Sequence, residues 1–388
     1  MIYDIINFCD LHWGAFDINQ LSDNLVIVEE FILNYDNIDL VVIPGDYFDM
    51  KLPLNSRAAI LAVGWLHKFL DICQSKKVKK VRIVKGTTEH DNDQLEVFRS
   101  LEDENGFFKI FNENTVEETL PGLVCIYCPD ETIATEEYKM KYIDNIYRND
   151  INIGFFHGSF DTVLPDIVTQ LSKENSLKNV IFEYDFWKRL IKGPLISGHW
   201  HDGNIYEHLI YLGSYDRWHF NEEEPKGFGF IRYNTDTEEY FYKKIVNINA
   251  PLYITYTIFS NLYKSIDDYN KLIKDIDDRI NSISDIKLKI RIVINIMDDK
   301  PENESLFLGL KHYYINNSIV KIVIKNKLQK EKKKEQKKKN YDIKNEFGFV
   351  LDKRIPLSEK IQNFILLTKS KSFELDKIEK VINKYIKD

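Results

Sequence analysis

The chain has 388 residues, 44% hydrophobic and 29% charged, with 53 Lys and Arg against 61 Asp and Glu for a formal net charge of −8. At roughly 150 residues per domain the length predicts two to three domains. The composition excludes a wholly disordered chain, and the acidic balance excludes a simple basic coat for DNA while leaving room for nucleic-acid handling through metal ions and local patches. No apolar run approaches the ~18 residues that span a bilayer. Met1-Ile2-Tyr3-Asp4 lacks the basic start and apolar core of a secretory signal. The expected location is cytoplasmic, with no membrane partner.

The first part of the chain alternates strand-like and helix-like patterns. Ile2–Phe8 reads as a strand, Leu21–Leu33 as a helix, Leu40–Ile43 as a strand, Ala58–Ile72 as an amphipathic helix and Val81–Val84 as a strand. That order means βαβ units and a largely parallel sheet. Further strands are expected at Leu123–Tyr127, Ile151–Phe156, Leu195–Ser197, Ile205–Leu212, Gly227–Tyr233 and Tyr240–Val246. The last three have no helix between them and read as an antiparallel edge.

The character changes near residue 250. Strands are expected at Leu252–Ile258, Lys287–Ile296 and Ile319–Ile324, with helices at Ser265–Ser282 and Phe307–Asn316. A charge block follows from Lys325 to Lys339, nine Lys against two Glu. It reads as a solvated linker and, more sharply, as a phosphate-contacting arm through Lys332, Lys333, Lys334, Lys337, Lys338 and Lys339. Pro356–Asp388 reads as two amphipathic helices too small to bury their own apolar faces. The boundaries drawn are 1–248, 249–324, 325–345 and 346–388.

Four cysteines are too few for a disulfide scaffold of this size. Cys125 and Cys128 form a lone CxxC in an apolar run, and no second pair completes a zinc site.

The metal-capable side chains fall just past the expected strands. Asp10-Leu11-His12 follows the first, Gly45-Asp46-Tyr47-Phe48-Asp49 the second and Gly86-Thr87-Thr88-Glu89-His90-Asp91 the third. His157-Gly158 and Gly198-His199-Trp200-His201 follow later ones, so five of the nine histidines sit at strand ends. In open α/β sheets, sites assemble at the carboxyl ends of strands. Imidazoles mixed with carboxylates suit manganese, iron or zinc. The candidates exceed the needs of one ion, and a bridging carboxylate such as Asp46 suits an ion pair that clamps a phosphoryl group.

The series DxH, GDxxD, G…HD, HG and GHxH resembles the calcineurin-like metallophosphoesterase superfamily, and within it the SbcD-type double-strand-break repair nucleases and their phage recombination relatives. Asp10-Leu11-His12-Trp13-Gly14 looks like theirs, as do the Gly213-Ser214 turn, Arg217, Phe220 and Pro225-Lys226-Gly227-Phe228. The resemblance implies an α/β fold: a two-sheet sandwich flanked by helices, a small α+β capping domain and a C-terminal helical segment that binds a partner. It implies a metal-dependent DNA exonuclease or endonuclease acting in recombination, repair or replication. The implied partners are DNA, an SbcC-type coiled-coil ATPase and a second copy of the chain. A composition rich in Ile, Lys, Asn and Tyr fits a bacterial or phage source.

Carried over by motif, Asp10, His12, Asp46 and His201 would hold the first metal, and Asp46, His157 and His199 the second. The metals implied are Mn2+, with Mg2+ as the alternative. His90 would be the catalytic proton donor, with Asp49 and Asp91 in support. The third motif departs from the family pattern, being two residues longer, and Glu89 stands where an Asn is expected; it either ligates or points away. Two other readings stay open: a phosphoesterase on small phosphodiesters, and a catalytically silent DNA-binding scaffold. A dimer face on Ala58–Ile72, through Leu61, Trp65, Phe69 and Leu70, competes with packing of that helix on the sheet.

Overall fold

A computed structural model describes residues 1–15, 18–129, 150–162, 181–219, 222–259, 265–282, 288–296 and 308–326. The lysine tract from Lys332 to Lys339 and Pro356–Asp388 lie outside the described residues, and so do the partner contacts expected of them. Contacts divide the chain into two compact units. One holds Met1–Tyr256, Lys274–Arg291 and Asn317–Lys321; the other holds Thr257–Ile273, Ile292–Asn316 and Ile322–Asp388.

The fold is mixed α/β, with two large mixed sheets. In chain order the strands of both are Ile2–Asn7 (β1), Leu40–Pro44 (β2), Lys80–Val84 (β3), Phe108–Phe111 (β4), Thr115–Leu120 (β5) and Leu123–Cys128 (β6). Ile151–His157 (β7), Ser159–Phe160 (β8), Ile181–Phe182 (β9), Leu195–Gly198 (β10), Asn204–Tyr206 (β11), Leu209–Tyr211 (β12), Gly227–Asn234 (β13) and Tyr240–Val246 (β14) follow. The first sheet has the order β14-β13-β1-β2-β3-β4 and the second β11-β12-β10-β7-β6-β5. Strands β1 to β4 run parallel, as do β6, β7, β10 and β12; β5, β11, β13 and β14 are antiparallel to their neighbours. A short β8–β9 pair stands apart. Leu252–Phe259 (β15), Leu288–Ile296 (β16) and Val320–Asn326 (β17) form a three-stranded sheet.

Alternation along the strands explains the layers, because successive side chains point to opposite faces. Tyr3 and Ile5, Leu40 and Val42, and Val84 share an apolar cluster with Leu123, Cys125, Tyr127, Ile153, Phe155 and Ile196 of the second sheet. The alternate residues, Ile6, Val41, Ile43, Val81 and Ile83, pack against helices instead. Those helices are Ile18–Asn24 (α1), Val26–Asn34 (α2) and Arg57–Ser75 (α3). Helix α3 starts where the Ser56 hydroxyl accepts from Ala59 N at 3.2 Å. Its stripe of Ala62, Trp65, Leu66, Phe69, Leu70 and Cys73 lies in that core. Trp65, Phe69 and Leu70 are thereby committed to packing, which removes them as a dimer face; Ile60 is the exposed apolar residue of this helix. The outer face of the second sheet carries Tyr184–Leu190 (α4) on Val124, Ile126, Phe156 and Leu195.

Three expectations change. The single helix over Leu21–Leu33 is two helices meeting at Leu25, where the Asn24 carbonyl accepts the Tyr215 hydroxyl at 2.7 Å. The strand over Ile205–Leu212 is the β11–β12 hairpin, turned through Glu207 at φ 50°. The expected three-stranded edge is therefore divided: β13 and β14 close the first sheet, while the hairpin joins the second. Strands β4 and β5 and helix α4 carry patterns that a search for apolar runs passes over; β5 is Thr-Val-Glu-Glu-Thr-Leu.

All four cysteines are free and buried. Burial pushes the Cys125 thiol up to about 12. This CxxC is core.

Candidate metal centre

The site lies in the first unit, where parallel strands of both sheets end. Asp10 and His12 follow β1, Asp46 follows β2, the Gly86–Asp91 loop follows β3, His157 closes β7 and His199 follows β10. The turns are strained. Asp10, His12, Asp46 and His199 have φ of 53°, 48°, 47° and 84°. Left-handed backbone at a non-glycine residue costs about 1–3 kcal/mol and persists where the surroundings over-determine it. Glycine is required beside them. A Cβ on Gly45 would run into the His157 ring, and one on Gly86 into the Asp46 backbone and carboxylate.

Four imidazoles are held by one nitrogen and aimed by the other. His157 Nδ1 donates to the Pro44 carbonyl at 2.9 Å, and His90 Nδ1 to the Asp49 carbonyl. His12 Nδ1 stands 3.3 Å from Asp49 Oδ1, and His201 Nδ1 3.0 Å from Glu222 Oε1. Carbonyls and ionised carboxylates only accept, so each Nδ1 carries a proton and each Nε2 is turned the other way, with a lone pair on a neutral ring and a second N–H on a charged one. Those Nε2 atoms converge. His12 and His201 meet at 3.0 Å. His157, His90 and His12 stand 3.2, 3.9 and 4.0 Å from Asp46 Oδ2.

The charges agree with this arrangement. Burial raises the Asp46 carboxyl, but His157, then His12 and His90, hold it well below the usual carboxylate range. Burial, with His157 nearby, brings His199 down to about 4, so its imidazole is neutral at pH 7. Asp49 is held low mainly by His12.

Two lone pairs 3.0 Å apart repel unless a proton or a cation lies between or beside them. A donor set of imidazole nitrogens and carboxylates is the set that borderline divalent ions take. Asp10, His12 and His201 form one group able to hold an ion; His12, Asp46 and His90 form a second, and Asp46, His157 and His199 a third. Asp46 and His12 are shared between groups. The donor set fits divalent cations.

The structure brings together Asp10, His12, Asp46, His90, His157, His199 and His201. It does not bring in Glu89, which is exposed and belongs to none of the ligand groups found among the described residues. Thr87 reaches the centre instead: its N and Oγ1 both donate to Asp46 Oδ1 at 2.8 Å. Asp91 ties the second and third loops, accepting from Phe48 N at 2.9 Å and Gly86 N at 2.7 Å. Asp49 supports two histidines, one through its carboxylate and one through its carbonyl.

Sequence reasoning missed Glu222 and Trp218, and it singled out Lys226 without assigning it a part in the centre. Glu222 accepts from His201 and from Trp218 N at 3.1 Å, and Lys226 stands 3.3 Å from it. Burial raises this carboxyl, but His201 and Lys226 outweigh that and bring it to about 2. Lys226 Nζ also donates to the His201 carbonyl at 2.6 Å, and Trp218 Nε1 to the Asp10 carbonyl at 2.9 Å. A lone Glu four residues before a Lys gives no sequence signal of this role. His219 joins His201 and Glu222 in a further ligand-like group at the exposed margin. No protein-family model matches the chain, and no curated protein matches it.

Proposed function

We propose that the chain is a metal-dependent phosphodiesterase that cleaves DNA, a nuclease of the SbcD type working with a coiled-coil ATPase in recombination, repair or replication. The observation that carries this reading is the convergence of three imidazoles, His12, His90 and His157, on Asp46 at the ends of parallel strands, with His201 meeting His12 beside them. Bound divalent ions, manganese first and magnesium as the alternative, would activate water and neutralise the phosphodiester. Asp10, His12 and His201 would hold one ion and His157 and His199 the other, with Asp46 between them.

The chain's own groups have separable tasks. The Asp49 carbonyl orients the His90 ring so that Nε2 faces the centre, where the ring in its charged, doubly protonated form can give a proton to a leaving oxygen. Thr87 fixes one Asp46 oxygen and leaves the other toward the histidines. Glu222 and Asp49 set the tautomers of His201 and His12, as carboxylates do for metal-bound imidazoles. The finer architecture belongs to the same proposal: a phosphoesterase domain over 1–248, a cap over 249–324, a Lys-rich linker over 325–345 and a partner-binding segment over 346–388.

The test is cleavage of end-labelled linear duplex DNA with manganese, with and without an SbcC-type partner. The comparison set is the unaltered chain, Asp46→Ala and His90→Ala. Manganese-dependent shortening lost in both variants supports the reading. Intact DNA alongside hydrolysis of an aryl phosphodiester would move the substrate to small molecules. No hydrolysis of either would favour a silent scaffold.

A further inference from the structure

Trp200 stands between two residues of the proposed centre, and its environment differs from that of every other tryptophan. The chain has five. Trp13, Trp65, Trp187 and Trp218 are 0%, 7%, 3% and 4% exposed, whereas Trp200 is 40% exposed. Trp13, the other tryptophan inside a motif, is buried against Trp65 with ring centroids 6.2 Å apart. Packing therefore accounts for Trp13 and leaves Trp200 unexplained.

The Trp200 ring is exposed yet fixed. Its Nε1 donates to Ser159 Oγ at 3.1 Å, and Ser159 is buried on β8, two residues beyond His157. Its centroid lies 6.2 Å from that of His199, with the planes at 89°. An indole tethered by its polar edge keeps an apolar surface in water beside the place where a phosphodiester would bind. Leaving so large an apolar surface wet is unfavourable unless something covers it. A nucleobase one nucleotide from the scissile phosphate has the right size, flatness and reach, and base–aromatic stacking tolerates any base because each has a π-face.

We propose that Trp200 is a stacking platform for an unpaired nucleobase next to the scissile phosphate. The substrate class is then a nucleic-acid strand whose base is free at the active centre, rather than a phosphoprotein or a simple phosphate ester. This rests on the phosphodiesterase reading above. Trp200 is a positioning residue: it orients the strand, and the metal ligands and His90 act on the phosphate.

The test pairs kinetics with fluorescence on the full chain. The substrates are a short single-stranded thymidine oligonucleotide and the same sugar–phosphate chain with abasic sites. Trp200→Ala is expected to lower kcat/KM on the oligonucleotide by about 10- to 100-fold, mostly through KM, and to leave the abasic chain unaffected. Trp200→Phe, which keeps a ring face, should recover most of the loss. In a His90→Ala background, which leaves the oligonucleotide uncut, it should quench the emission of the exposed tryptophan. The abasic chain should not, and Trp200→Ala should remove the response. Equal cleavage by the unaltered chain and Trp200→Ala, without quenching, overturns the platform and leaves the phosphodiesterase reading standing. If the unaltered chain cleaves nothing, that reading falls and the titration alone decides: base-dependent quenching supports the platform, and its absence overturns it.

Discussion

The two ends of the first sheet are both crowded with charged or ionisable residues, and only one of them looks like a site. At the end where β1, β2 and β3 begin, a cleft of about 840 Å³ is lined by Asp4, Asp36, Asp39, Lys76, Lys79 and Arg232. There three acid–base pairs form, and Lys77 completes the charged lining. Lys79 meets Asp39 at 2.7 Å, Arg232 meets Asp4 at 2.7 Å and Lys76 meets Asp36 at 3.4 Å. At the other end, Asp10, Asp46, His12, His157, His199 and His201 gather in groups able to hold a metal ion, and Asp10, His12, Asp46 and His199 do so on left-handed backbone. Density of charge does not mark function; an imbalance that a ligand must correct does.

The largest effect that could break this contrast is loss of His90. His90→Ala should reduce phosphodiester hydrolysis by about 10²- to 10⁴-fold while leaving metal content unchanged by elemental analysis. A variant that keeps full activity would remove His90 from the chemistry. Next comes Glu222→Gln. It leaves the His201 Nδ1–H a weaker acceptor and should lower manganese affinity about 10- to 100-fold, read by calorimetric titration.

Manganese itself should discriminate the two ends. A ligand that binds only the folded chain at 100 times its dissociation constant adds about 2.7 kcal/mol of stability. Melting of the unaltered chain should rise with manganese and return with a chelator. The rise should be absent in Asp46→Ala and fully present in Arg232→Ala.

A charge pair between the sheets gives a pH-dependent case. Arg82 on β3 is buried and pairs with Glu117 on β5 at 2.9 Å, while Lys109 reaches the same carboxylate at 2.8 Å. Burial raises the Glu117 carboxyl, but Arg82 and Lys109 hold it below its usual value of 4.5. A lowered acid pKa stabilises the folded chain above the unfolded value, and the contribution fades as pH falls through the folded one. Glu117→Gln should therefore cost about 1–3 kcal/mol near pH 7. The gap to the unaltered chain should close below about pH 4, in urea unfolding followed at each pH. The smallest effect is expected at the balanced end. Arg232 is half exposed, so Arg232→Ala should cost no more than about 1 kcal/mol and leave hydrolysis unchanged.

Much of the centre was legible in the sequence because its geometry is local. Each ligand stands within a few residues of an apolar strand, and parallel strands deliver their carboxyl ends to one side. Asp10, His12, Asp46, His90, His157, His199 and His201 needed only that rule and their order to be gathered. The apolar runs at Ile2–Phe8, Leu40–Ile43, Leu123–Tyr127 and Ile151–Phe156 likewise marked the strands β1, β2, β6 and β7. Glu89 shows the limit. Spacing put it beside His90, but Glu89 is exposed, and Thr87 stands against Asp46 instead.

What the tertiary structure alone decided is which group holds the Nδ1 side of His12, His90, His157 and His201. The holders are the Pro44 and Asp49 carbonyls, the Asp49 carboxylate and Glu222, and none shares a motif with the imidazole it orients except by distance across the fold. Nor could periodicity tell that Ile205–Leu212 turns back on itself, or that of two motif tryptophans Trp13 packs inside while Trp200 stays wet. Strand periodicity records which face is buried; it does not record which distant chain segment arrives to meet it. The alphabet of the centre was in the sequence, and its protonation, strain and exposed rim came from long-range packing.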